Sequence, residues 1–379
     1  MSNDGRSLAF PGVLAIQSDT RPGQESADTL LVAVSAIGAD RHLAISGFWE
    51  DPYGGPTRQK GGLKRDHEGN VESDVPVPRG ASMFIANMGT PPLSEVPTLL
   101  WAGWIRDRTV AAISPRRTGP MLFSLAEDEQ VVAPPLAMGD RTMHLYTVRG
   151  AGTASRALWR HAFHDGKDGP ERVVSEALGP LEGDPLFPVA TPRVGEYGVR
   201  AILGWLESGP SGVVAVLALV DGGAVTFVRS EPTSNLIPFQ RQRLGLWKGG
   251  NAIELAGVLQ ERGAAPKYSR LVFYYSPDEE PPRRTVSTTP YDFPAGQLRA
   301  CATDYAKQPT SRVERVALAT DAGGNLVTFD AVPDDRQRQT LDRGLPADYP
   351  LPFVVSKAFY IADFTADGKV TLWHFTEAR

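Results

Sequence analysis

The sequence predicts an all-β protein folded as a single closed β-propeller of about seven blades, and three observations lead there. Helical periodicity is scarce along the chain. The apolar runs are short, rich in β-branched and aromatic residues, and bounded by Gly, Pro, Asp or Asn, which is the strand signature. A turn-and-strand unit recurs, with an acidic residue, glycine, a short spacer and then Val-Thr: "VDGGAVTFV" (220–228), "DAGGNLVTFDA" (321–331) and "ADGKVTLWHF" (366–375).

The strand candidates include "TLLVAVSAI" (29–37), "RHLAISGFW" (41–49), "TLLWAGWI" (98–105), "RAILGWL" (200–206), "GVVAVLALV" (212–220), "RLVFYY" (270–275) and "FVVSKAFYIADF" (353–364). Asp-Gly and Gly-Gly between such runs supply the positive φ that two-residue hairpin loops need. The strand after each turn carries a valine anchor: Val71, Val131, Val173, Val225, Val286, Val327 and Val370. Hairpins recurring every ~40–50 residues mark four-stranded propeller blades, and most of these anchors keep that spacing, while the gaps from Val71 to Val131 and from Val225 to Val286 need loop insertions. Six blades fit if the Val71 unit is a long insertion, and two stacked sandwiches remain the alternative architecture. A ring must also close. The segment "SLAFPGVLAIQS" (7–18) precedes the first full unit, and "KVTLWHF" ends the chain. The expectation is that the N-terminal strand completes the C-terminal blade, which would hide two sheet edges.

The last unit, "DGKVTLWHF", resembles the closing strand of a WD repeat, whose consensus ends in a Trp-Asp pair; here the pair is Trp373-His374. The resemblance covers about ten residues, and the other units lack both that Trp and the Gly-His start. It implies a WD40-like propeller shape and no particular activity.

Composition bounds the function classes. The 379 residues carry a net charge of −5 with no long run of one sign, which argues against a nucleic-acid or anionic-membrane surface. Cys301 is the single cysteine, so no intrachain disulfide forms. The start lacks a signal-peptide pattern, and no stretch reaches the ~18–20 apolar residues of a membrane helix. A cytoplasmic, monomeric protein is expected, one domain spanning 1–379 with a long glycine-rich loop at 50–70.

No phosphate-binding loop or dinucleotide fingerprint occurs, so no cofactor is expected. "GPSG" (209–212) lacks the spacing of a nucleophile elbow. The one histidine cluster, "WRHAFHDGKDG" (159–169), offers His161, His164, Asp165 and Asp168 as metal-ligand candidates. Histidines three apart on a strand face opposite ways, so the cluster needs a turn between them to hold a metal. Cys301 sits in a strand pattern, with Arg299 on the same face able to lower its pKa. Carboxylates group at "EGD" (182–184) and "SPDEEPP" (276–282), and paired carboxylates are what a propeller glycosidase would use. Trp101 and Trp104 should lie on opposite faces of one strand, leaving one exposed to a partner. Arg58, Lys60, Lys64 and Arg65 make the 50–70 loop the densest basic segment, suited to an acidic protein partner. The reading these residues favour is a non-catalytic interaction scaffold. The alternative is a propeller-type hydrolase or lyase acting on a carbohydrate or other small molecule in the central funnel.

Overall fold

The computed structural model describes residues 13–17, 29–37, 42–51, 55–58, 70–86, 101–114, 119–133, 135–139, 142–166, 171–195, 198–209, 211–232, 236–238, 245–249, 252–261, 266–275, 284–292, 297–305, 314–320, 326–330, 338–341, 351–355, 358–364 and 370–375, with side chains mainly between 75 and 232. Among these residues there is no helix, and thirty strands form seven antiparallel sheets that follow one another along the chain.

The first sheet holds β1 (Val13–Gln17), β2 (Thr29–Ile37), β3 (His42–Asp51), β4 (Gly55–Arg58) and β5 (Asn70–Pro76). The second holds β6 (Ser82–Ala86), β7 (Trp101–Arg106), β8 (Thr109–Ile113) and β9 (Met121–Ser124). The third holds β10 (Glu129–Val131), β11 (Leu136–Gly139), β12 (Thr142–Arg149), β13 (Ala157–His164) and β14 (Arg172–Pro180). The fourth holds β15 (Leu186–Gly195), β16 (Gly198–Gly209), β17 (Gly212–Asp221) and β18 (Ala224–Arg229). The fifth holds β19 (Leu236–Pro238), β20 (Gly245–Gly249), β21 (Ala252–Glu261), β22 (Pro266–Tyr275) and β23 (Arg284–Asp292). The sixth holds β24 (Gln297–Tyr305), β25 (Glu314–Thr320), β26 (Leu326–Asp330) and β27 (Arg338–Leu341). The seventh holds β28 (Leu351–Val355), β29 (Ala358–Phe364) and β30 (Val370–Phe375).

Packing separates this arrangement from a pair of sandwiches. In β12 alternate side chains leave opposite faces. Met143 and Leu145 join a core with Phe84, Trp101 and Met121 of the second sheet. Tyr146 and Val148 join another with Leu203, Trp205 and Val216 of the fourth. A sheet buried on both faces has a neighbour on each side, whereas a two-sheet sandwich leaves one face of each sheet in water. The inter-sheet contacts also run through the early strands: β1 and β2 lie against β6, β11 against β15, β15 against β20, β20 against β24, and β24 against β28. The arrangement is propeller-like.

Three sequence expectations are corrected here. β1 pairs with β2 in the first sheet, Val13 opposite Ala33 and Gln17 opposite Thr29, so the N-terminal strand does not complete the C-terminal blade. The 7–18 segment is close in sequence to β2, and a hairpin-type pairing closes a far shorter loop than pairing with β30. Trp101 and Trp104 do leave opposite faces of β7, but both are buried, at 0 % and 7 % exposure. The expectation of an exposed ring assumed a solvated face, and stacking of sheets removes it. The valine anchors do not map one to a sheet either. Val131 and Val173 both fall in the third sheet, on β10 and β14, and the second sheet carries none. The sequence between β8 and β9, "SPRRTGP", lacks the Asp-Gly signal.

The expected loop at 50–70 is strand in part: β4 (Gly55–Arg58) pairs with the end of β3, and Arg58 ends it. Lys60, Lys64 and Arg65 lie outside the described residues, as do Asp168 and the "SPDEEPP" carboxylates.

Close packing between strands also fixes one glycine. A Cβ on Gly103 of β7 would lie 1.9 Å from the Ala111 carbonyl oxygen and 2.7 Å from the Phe84 ring. The backbone oxygen belongs to the adjacent strand and cannot swing aside. Gly103→Ala is therefore expected to destabilise the fold by at least the ~1–3 kcal/mol of core overpacking. Urea denaturation of the variant checks this, and an unchanged midpoint would show the close approach to be relaxed in solution.

Candidate functional site

The order β10, β12, β13, β14 places four strands side by side, and on the face toward the second sheet each contributes one polar residue: Glu129, Thr147, His161 and Ser175. The register sets His161 directly opposite Ser175, and Thr147 opposite both Val131 and Trp159. Glu129, Thr147 and His161 are buried, at 5 %, 0 % and 0 % exposure, while Ser175 is exposed on the outermost strand.

The four form a chain of hydrogen bonds. His161 Nε2 lies 2.5 Å from Glu129 Oε1, and His161 Nδ1 lies 2.8 Å from Ser175 Oγ. The Thr147 hydroxyl donates to Glu129 Oε1 and sits 3.2 Å from His161 Nε2. The Ala126 backbone N–H donates to Glu129 Oε2 at 2.9 Å, and Arg149 Nε approaches the same oxygen at 3.2 Å. Phe123 of the second sheet covers the imidazole, ring centroids 4.7 Å apart. These partners assign the tautomer of a neutral ring: Nε2–H donates to the carboxylate, and the Nδ1 lone pair accepts the serine hydroxyl. The ring nitrogen facing the one exposed hydroxyl is thus the one able to take its proton.

Burial alone would raise the Glu129 pKa. The hydrogen bonds from His161, Thr147 and Ala126, with the charge His161 carries when protonated, outweigh it and hold the carboxyl at about 2 instead of 4.5. The group is anionic at neutral pH. A depressed carboxylate pKa stabilises the fold above the unfolded value and ceases to do so as pH falls through the folded one. Between about pH 4.5 and pH 2 this residue alone should remove about 3 kcal/mol of stability. Denaturation across that window checks it: Glu129→Gln is expected to lose this part of the acid dependence, and an unchanged slope would contradict the assignment.

On the opposite face of the third sheet, burial, and then the charges of Arg160 and His164, push His144 down to about 3. Its Nδ1 lies 3.3 Å from the hydroxyl of Tyr146, whose own pKa burial raises. Arg160 pairs with Glu176 and donates to the Gly222 carbonyl in the β17–β18 turn, tying the third sheet to the fourth.

The metal-ligand candidates are dispersed. His161 faces the second sheet, whereas His164 is on the other face at 3.3 Å from the Thr142 hydroxyl. Asp165 accepts from the Ser114 hydroxyl. Among the described residues no group of three His, Cys, Asp or Glu side chains is placed to hold a metal ion. The "EGD" carboxylates also separate. Glu182 lies 3.3 Å from Arg229 Nε, and Asp184 accepts from Gly152 N–H at 3.0 Å and lies 3.4 Å from Arg156 Nε. Glu207 is buried beside them, accepting from Trp205 Nε1 at 2.9 Å and Arg229 Nη1 at 2.6 Å. Each of these carboxylates is tied to a different set of partners, so the three do not converge on one open point.

Sequence reasoning reached His161 but missed Glu129, Thr147 and Ser175. They lie 32, 14 and 14 residues from it and meet only through sheet register. A usable signal exists, in that each is a polar residue on the core-facing parity of its strand. Reading it requires the register, which local sequence does not supply.

No family model matches this chain, and no curated protein matches it. Among solved structures it is similar to an endo-arabinase from Bacteroides thetaiotaomicron VPI-5482, with TM-score 0.34 and 8 % identity over 70 % of this chain and 95 % of that one. It is also similar to a xylan beta-1,4-xylosidase from Bacillus Halodurans C-125, with TM-score 0.29 and 11 % identity over 96 % of this chain and 55 % of that one. Both scores fall below the level at which a shared fold is assigned, so the functional reading rests on this chain's own residues.

Proposed function

We propose that the seven sheets close into one propeller, the first and last meeting face to face, and that the protein is a hydrolase with Ser175 as nucleophile. The observation that supports this is the line Glu129–His161–Ser175, buried at one end and open at the other. A serine hydroxyl is a weak nucleophile until a positioned base takes its proton, and the base needs a third group to fix its tautomer. Here the fixed lone pair is on Nδ1, with Nε2–H held by the carboxylate. Which ring nitrogen serves is immaterial to the proton transfer.

The reaction follows from those roles. The Ser175 proton passes to His161 Nδ1 as Oγ adds to the carbonyl carbon of an ester. The C–O bond to the alcohol breaks, and the departing oxygen takes that proton from His161. Water then enters by the same route and releases the acid. Glu129 stays ionised and stabilises the imidazolium. β14 is the last strand of its sheet, where alternate N–H groups point away from the ladder and can donate to the oxyanion. The site would then sit in the outer crevice between the second and third sheets, away from the central axis.

A second reading is favoured by the burial of Glu129 and Thr147: the network is a staple across four strands, and the protein is a non-catalytic scaffold that binds another protein. The two readings differ in reactivity. A fluorophosphonate probe is expected to label the protein, with the adduct on Ser175 by mass spectrometry and no labelling of Ser175→Ala. A folded protein inert to the probe would leave the staple.

A further inference from the structure

We infer that the ester carries an apolar acyl chain, a substrate class that rests on the serine-nucleophile reading above. Side chains sharing a strand face alternate, so Val173 and Ala177 flank Ser175 on its own strand. Trp159 is paired with Ala177 on β13, and Phe123 overhangs His161 from the second sheet. Phe123, Trp159 and Val173 are half-buried and Ala177 is exposed, so part of this apolar surface still meets water beside the nucleophile.

Among the described residues, the polar groups on this face are engaged with one another. Thr147 and His161 bind Glu129, and Arg149 lies between Glu129 and the Trp159 ring, its guanidinium carbon 3.6 Å from the ring centroid. A cation so matched by a carboxylate is a poor receptor for a second anion. Glu176, the residue next to Ser175 in the chain, points to the other face and pairs with Arg160. A sugar would need several hydrogen-bonding partners beside the nucleophile, and a substrate carboxylate would need a free cation. An alkyl chain needs only the apolar surface that is there, and each methylene it buries strengthens binding.

The test uses the full chain with p-nitrophenyl acetate and octanoate, each rate corrected for its hydroxide-catalysed hydrolysis, alongside the fluorophosphonate probe. Expected are an adduct on Ser175 and a kcat/KM for octanoate at least about tenfold above acetate. The octanoate-to-acetate ratio should fall at least about tenfold in Ala177→Asp, which sets a charge in the path of the chain at an exposed position that tolerates it. An adduct on Ser175 with a ratio near one, or a ratio that Ala177→Asp leaves in place, would overturn the apolar-acyl assignment while sparing the nucleophile. Absence of both adduct and hydrolysis would overturn the nucleophile, and the substrate class with it.

Discussion

Glu129→Ala is expected to lower the free energy of unfolding by about 3–5 kcal/mol, the cost of removing one partner from a buried charge-paired network. The reason is what remains. His161 and Thr147 are both buried and would lose their shared acceptor, and the Ala126 N–H would lose its own. Arg149 would keep its place over Trp159 without the carboxylate beside it. A buried donor left unpaired carries its full desolvation penalty, which for several donors together exceeds the worth of the hydrogen bonds. Ser175→Ala should cost less than about 1 kcal/mol, because the hydroxyl is exposed and water replaces it. Urea denaturation of both variants at neutral pH measures the contrast, and equal losses would show that burial does not divide the network as described.

Glu129→Gln should have its largest effect on reactivity. The amide nitrogen of glutamine can donate to His161 Nε2, which moves the ring proton to Nδ1. The nitrogen facing Ser175 then becomes a donor and can no longer accept the hydroxyl proton. Phosphonylation of Ser175 is expected to slow by about 10²–10⁴-fold, the contribution of a positioned base. His161→Asn should slow it to a similar extent, since both changes remove the same lone pair. Melting curves of the two variants establish that they are folded before rates are compared. A Glu129→Gln protein that reacts at the parent rate would mean that the carboxylate does not set the tautomer.

Much of the strand order could be read from the chain, because the information is local. "VDGGAVTFV" folds as the β17–β18 hairpin, with Asp221 opposite Ala224 and Gly222 at φ 58°. The opposite facings of His161 and His164 follow from strand alternation alone. What failed depended on contacts between distant segments. Val131 looked like the end of a unit because a turn precedes it, yet β10 pairs with β12 and opens the third sheet. Trp101 and Trp104 could be placed on opposite faces, but not both under cover, since the covering sheets come from elsewhere in the chain. The candidate site failed for the same reason. Glu129 and His161 never pair as neighbouring strands; they meet across β12, where Thr147 lies between them.

The tautomer of His161 is the point on which the functional account turns, and nitrogen-15 NMR of imidazole-labelled protein at neutral pH reads it directly. The account predicts a proton-bearing Nε2 and an unprotonated Nδ1 hydrogen-bonded to Ser175, with the pattern reversed in Glu129→Gln. A proton on Nδ1 in the parent protein would contradict it, since the ring would then donate to Ser175 and have no lone pair with which to activate it.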